Sequence, residues 1–257
     1  MNQRGSVRDR KRVRKVHKRV KNRLAPLASL GTTVGQIPDA IRTSRTTRYS
    51  FYLLSGVLAY LLIGQAVDPG FTHYWWYQLV QTSATQLVVL LLDAAFANEG
   101  GMAWQTHAIV IVATLADTLG TAGHMYARWG PYDKVVHFSS GAAFAAASYQ
   151  TLWFLKQRGE HSLSNRAIVV ISIGISLGFA GVLWETYEYL GDQLFASGRQ
   201  YGWSDTIGDC IADFCGAVTA VLIMSIAASR RRNRFSLTLP ASAQPHVRES
   251  TDAWTLE

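Results

Sequence analysis

Hydrophobic positions in this chain gather into six long unbroken stretches, with short polar breaks between them. They run over about Phe51 to Val67, Tyr74 to Phe96, Trp104 to Tyr126, Asp133 to Leu155, Ala167 to Leu190 and Asp205 to Ser229. Each approaches the ~20 residues with which a helix crosses a hydrocarbon layer ~30 Å thick. All six prolines fall outside these stretches, in tails or loops, as helix continuity requires. The pattern predicts an all-α, polytopic membrane protein with six transmembrane helices.

Small residues refine that prediction. The fourth stretch carries Ser140, Gly141, Ala142, Ala143, Ala145, Ala146, Ala147 and Ser148; the fifth carries Gly174, Gly178 and Gly181; the sixth carries Gly208 and Gly216. Such residues let membrane helices approach closely. Stretches three to six are therefore expected to form a core four-helix bundle, with the first two packed alongside as a wall.

Composition agrees once it is divided by region. Across 257 residues, 49% are hydrophobic and 16% charged, against about 25% charged in a soluble domain. The mean hydropathy of +0.07 averages an apolar middle with polar ends. Three regions follow: a basic, flexible N-terminal arm over 1–48, a transmembrane domain over 49–229, and a basic then polar tail over 230–257. The first apolar run begins too late for a cleavable signal peptide and is expected to anchor the chain.

Charge is as uneven as hydropathy. The net charge is +8, and eleven Lys and Arg fall between Arg4 and Arg23, with four more at Arg230, Arg231, Arg232 and Arg234. Basic segments stay in the cytoplasm, so an even number of spans puts both termini inside, in the cell inner membrane. The basic arm is expected to meet anionic lipid headgroups. Nucleic acid is disfavoured as its partner, since no aromatic platform accompanies the run. Cys210 and Cys215 imply no disulfide framework and read as small core residues. No sequence pattern encodes the oligomeric state.

Against this apolar background stand eight carboxylates: Asp117, Asp133, Glu185, Glu188, Asp192, Asp205, Asp209 and Asp213. A charge at the bilayer centre costs roughly 2.5 kcal/mol or more, so a set of them needs a compensating partner. Asp205, Asp209 and Asp213 make one helical stripe, and Glu185, Glu188 and Asp192 another. His124 and His137 lie near Asp117 and Asp133. In the six-span arrangement all four groups reach the same, extracytoplasmic, end.

Simpler roles exist for some of them. Asp133 and Asp205 open helices, where the dipole favours an acid, and Asp192 can sit solvated in a loop. Asp117, Glu185, Asp209 and Asp213 lie deeper in apolar context, where capping does not explain them. Lys134 can neutralise part of the group. Acids and histidines projecting from facing helices are how bundles build metal sites. The expected ligands of a divalent ion (magnesium, manganese or zinc) are His124, Glu185, Asp192, Asp205, Asp209 and Asp213. His137, Asp133, Asp117 and Glu188 are the candidates for catalytic proton transfer.

The blocks Tyr132-Asp-Lys-Val-Val-His137-Phe-Ser-Ser-Gly141, Trp184-Glu-Thr-Tyr-Glu188-Tyr-Leu-Gly-Asp192 and Asp205-Thr-Ile-Gly-Asp209-Cys-Ile-Ala-Asp213 resemble those of YjdF-like bacterial inner-membrane proteins, over residues 50 to 229. The first block alone also resembles VanZ-like membrane proteins. The resemblance implies a membrane location and no reaction. The Asp205 to Asp213 stripe is similar to that of enzymes moving phospho-alcohol groups between lipids, but the Asp-Gly and Ala-Arg pairs upstream in those enzymes are missing.

The residues point first to a metal-dependent membrane enzyme acting on a lipid or isoprenoid-linked substrate. Two other classes stay open. An ion- or proton-coupled carrier would use the acids as a relay, and would call for repeat symmetry and broken helices. A non-catalytic membrane protein would use them to hold a structural cation.

Overall fold

A computed structural model describes residues 32–68, 75–159, 162–195 and 201–238, the side chains of Trp75, Phe195 and residues 230–238 excepted. The basic run from Arg4 to Arg23 and the tail after residue 238 lie outside the described residues. Helix α1 covers 32–43. It is followed by α2 (Arg45–Val67), α3 (Trp75–Ala95), a 3-10 turn (Ala97–Glu99), α4 (Trp104–Ala122), the short α5 (Met125–Arg128), α6 (Tyr132–Gln157), α7 (Asn165–Ser176), a π-helical turn (Leu177–Leu183), α8 (Trp184–Phe195) and α9 (Trp203–Thr238). No strand occurs among the described residues.

Within the stretch 1–48, residues 32–43 and 45–48 are helical. Local chemistry explains the break and the restart. The Thr43 hydroxyl donates to the Asp39 carbonyl at 2.7 Å, and the Ser44 side chain accepts from the Thr47 amide at 3.2 Å, capping α2.

Among the described residues, three helices are long and apolar enough to cross a membrane: Arg45–Val67, Asn165–Leu194 and Trp203–Ser229. Helices α3, α4 and α6 turn polar side chains inward and pair several of them. Gln86 Nε2 donates to Ser55 Oγ at 2.9 Å, joining α3 to α2. Gln150 Oε1 accepts from Thr106 Oγ1 at 2.6 Å and from the Ala103 amide at 2.9 Å, joining α6 to the start of α4. Interhelical bonds of this kind hold helices together where lipid removes the hydrophobic drive. Large apolar side chains such as Leu53, Ile63, Val80, Val170 and Leu222 face outward, as they do against hydrocarbon and not against water.

Helix α6 lies at the centre and packs on α4, α7 and α9, while α2 and α3 pack on each other and on α4. Its core contact is made of small side chains: Ala145 and Ala146 against Ala217 and Ala220, each with no exposed surface. At Gly141 and Gly216 the two backbones meet. A Cβ at Gly216 would overlap the Phe138 carbonyl, and one at Gly141 would overlap the Asp213 carbonyl. This close approach puts the acidic stripe of α9 beside the first turns of α6. Two glycines of the fifth stretch act differently. Gly174 and Gly178 have nothing within 4 Å of a Cβ position, so they do not mark a contact. Cys215 is exposed and Cys210 half-buried, not the core residues expected of them.

Candidate functional site

The charged face of α6 and that of α9 meet at one end of the bundle. On α6, Asp133, Lys134 and His137 occupy the first two turns. On α9, Asp205, Asp209 and Asp213 follow one another at four-residue spacing along the face turned to α6. Lys134 Nζ bridges the two, at 2.5 Å from Asp205 Oδ1, 2.6 Å from Asp209 Oδ1 and 3.5 Å from Asp133 Oδ2. One turn deeper, His137 bridges the same two helices. Its Nδ1 lies 3.1 Å from Asp213 Oδ2, and its Nε2 3.6 Å from Asp209 Oδ1 and 3.9 Å from Asp133 Oδ1.

Glu185 comes from the third side. The π-helical turn just before it takes one residue more per turn than an α-helix and shifts the face on which the next side chains fall. Glu185 is thereby buried, with Oε1 3.9 Å from His137 Nε2 and Oε2 accepting from Thr206 Oγ1 at 2.7 Å. Gly181 in the same turn sits 3.7 Å from Asp213 Oδ2 by its Cβ position, so the helix can pass close to the carboxylate.

The cluster is unevenly satisfied. Asp213 and Asp209 are 0% and 1% exposed and Glu185 6%. Glu185 Oε1 and Asp213 Oδ1 have no hydrogen-bond partner. Buried polar atoms are normally paired, so these two oxygens are exceptions. Asp133, His137 and Asp209 each offer an atom within 4.8 Å of the others, close enough to share one ion.

The remaining expected site residues lie elsewhere. Asp117 belongs to a separate network on α3, α4 and α5: Gln78 Nε2 donates to its Oδ2 and Tyr126 OH to its Oδ1, both at 2.8 Å. It faces the same cavity as His137 but does not join the ion cluster. His124 is exposed, at φ 56° in the turn before α5, so it is not brought to the other expected ligands. Glu188 is half-buried and accepts from Trp184 Nε1 at 3.0 Å. Asp192 is half-buried further along α8. Asp133 and Asp205 do lie in first turns, as the capping alternative requires, yet both also touch Lys134.

A second buried polar chain has no counterpart among the sequence expectations. At the opposite end, Ser50 Oγ lies 2.8 Å from His107 Nδ1, and His107 Nε2 lies 3.2 Å from Asp93 Oδ2. Asp93 Oδ1 also accepts from the Met102 amide at 2.8 Å. A clue existed, since Asp93 is the lone charge of its stretch and His107 begins the next one, so a helical hairpin sets them side by side. Near that end, outside the spans, Arg158 Nε donates to Glu99 Oε1 at 2.5 Å and its guanidinium covers the Phe96 ring. This contact holds the Glu99 carboxyl below its ordinary value.

A family model described as "Predicted membrane protein (DUF2238)" matches residues 50–230. No curated protein and no solved structure matches the chain.

Proposed function

The chain belongs to the DUF2238 family of predicted membrane proteins, and on that premise we propose a polytopic metalloenzyme whose cluster of acids and one histidine handles a lipid or isoprenoid-linked substrate. The blocks around His137, Glu188 and Asp209 support the narrower reading as a YjdF-like member. The proposed topology has six spans, formed by α2, α3, α4, α6, the α7 to α8 helix and α9, with both termini in the cytoplasm of a bacterial inner membrane. The basic arm meets anionic headgroups there. The acidic end is then extracytoplasmic.

The observation that carries the reading is an excess of buried negative charge with open oxygens. Five carboxylates (Asp133, Glu185, Asp205, Asp209 and Asp213) face one lysine and one histidine, and Glu185 Oε1 and Asp213 Oδ1 stay without a hydrogen bond. Isolated buried carboxylates cost several kcal/mol each, and a cation removes that cost. Asp133, His137 and Asp209 would hold it, with Glu185 and Asp213 completing the shell. Carboxylate oxygens with one imidazole suit magnesium, manganese or zinc. A divalent ion there would polarise a phosphoryl or carbonyl oxygen and lower the pKa of bound water.

The chain's own groups have defined roles. Asp213 orients the imidazole of His137 through Nδ1, leaving Nε2 turned toward Asp209, Asp133 and Glu185 as the atom that would ligate the ion. Lys134 offers a positive charge to an anionic headgroup at the rim. Hydrolysis or group transfer fits this set better than redox chemistry. The test is metal analysis of the purified full chain. About one divalent ion per chain is expected, reduced at least tenfold in Asp209→Asn and His137→Ala. Protein free of metal, with chelator leaving its melting temperature unchanged, overturns the reading.

One observation favours a second reading. Lys134 already supplies an internal cation at 2.5 and 2.6 Å from two carboxylates, as a purely structural charge network would. In that case Lys134→Met lowers stability and no variant of the cluster changes metal content.

A further inference from the structure

A groove of about 370 Å³ runs between α3, α4, α6 and the π-helical turn. Its size falls within the roughly 300–1,000 Å³ of small-molecule sites. Ala113, Ala143, Ala147 and Ala180 line it, and their short side chains leave the space. Its lining is mostly apolar, and its ionisable members, Asp117 and His137, both lie toward the acidic end.

Depth and opening narrow the occupant. The groove follows α3 from Gln81 to Leu92 and α6 from Val136 to Ala147, about 16 Å at 1.5 Å per residue. The hydrocarbon layer is ~30 Å thick, so the groove is about one leaflet deep. Val88, Phe144 and Phe179 line it and are also exposed on the outer surface, and the Phe144 and Phe179 rings stack at 5.7 Å. These residues form a mouth that faces sideways, toward lipid. A helix of another chain, about 10 Å across, is too wide for a groove of this volume.

We propose that the groove seats one hydrocarbon chain of a lipid drawn from the leaflet on the acidic side, with the headgroup end at His137 and Asp117. An apolar slot open to the bilayer fills with the apolar chains around it, and this one ends where the ionisable groups begin. The seat turns the general lipid substrate of the proposed enzyme into a defined pose, and it rests on that reading for the polar end alone.

The test uses the full chain in lipid nanodiscs containing phosphatidylglycerol with a diazirine in one acyl chain. After illumination, label is expected to concentrate on Val88, Ala143, Phe144 and Phe179, above the level at Leu53 and Ile63, which are exposed on α2. Filling the groove with Ala143→Phe plus Ala147→Phe excludes at least two methylenes and lowers groove labelling about tenfold, leaving Leu53 and Ile63 unchanged. Equal labelling of groove and α2 surface overturns the seat, as does labelling insensitive to filling. Should the filled variant fail to fold, the native ratio of groove to α2 label decides alone. Metal content measured on the same samples separates the two ideas. Uniform labelling with a retained ion overturns the seat and spares the metal site; groove labelling without an ion does the reverse.

Discussion

Lys134 and His137 act in parallel, each bringing a positive or protonatable nitrogen to carboxylates that α9 holds in a row. Lys134 is 35% exposed on its side chain and Asp209 2%, so the burden of a broken pair falls on the aspartate. Lys134→Met is therefore expected to destabilise the fold by about 1–2 kcal/mol, read as a lower melting temperature in detergent. Asp209→Asn should then cost less in that background than in the native chain, because the shared partner has gone. Additive losses would show that the 2.6 Å contact carries no coupling. At the other end, His107→Ala leaves Asp93 buried at 1% exposure without its imidazole. A loss of about 3 kcal/mol is expected, and a change below about 0.5 kcal/mol, the level of an ordinary surface substitution, would contradict the role given to this buried polar chain. The acids themselves could be read from their cost in an apolar setting. Which of them meet could not, since His124 and Asp117 share their spacing logic but point to solvent and to Gln78.

Among the elements, α6 and α9 decide the site, and glycine decides how near they come. Gly216→Ala would force a Cβ into the Phe138 carbonyl, which cannot yield as a side chain can. A loss of about 1–3 kcal/mol is expected, together with weaker metal retention as Asp209 and Asp213 draw back from His137. Gly174→Ala, with nothing within 4 Å, should instead be neutral or stabilising by about 0.5 kcal/mol. Thermal unfolding of both variants side by side checks the contrast, and equal effects would refute it. Small-residue composition flagged both positions alike. The difference lies in what stands opposite each glycine, a property of the packed pair. The π-helical turn over Leu177–Leu183 was likewise invisible in a run of apolar residues that suits a plain helix, yet it sets the face on which Glu185 falls.

At the scale of the whole molecule, the chain sorts itself between lipid and interior. The six-span topology is checked by the single-cysteine variants Asp68→Cys, Arg158→Cys and Tyr201→Cys in a Cys210→Ser, Cys215→Ser background. An impermeant thiol reagent added to whole cells should label the first and third of these variants and leave the one at Arg158 untouched. The inverse pattern would turn the molecule over and move the acidic end to the cytoplasm. Membrane character, helical class and the positions of the long helices follow from local sequence, because apolar runs near 20 residues admit few other backbones in lipid. The same local reasoning shows that the buried carboxylates need partners. It does not name them. Pairing depends on the rotation and separation of helices far apart along the chain, and these came from the Gly141 and Gly216 contacts and from the turn before Glu185. Lys134 between two aspartates, Asp117 held by Gln78 and Tyr126, and the histidine chain at the far end are products of packing, where contacts between distant residues outweigh the spacing within any single helix.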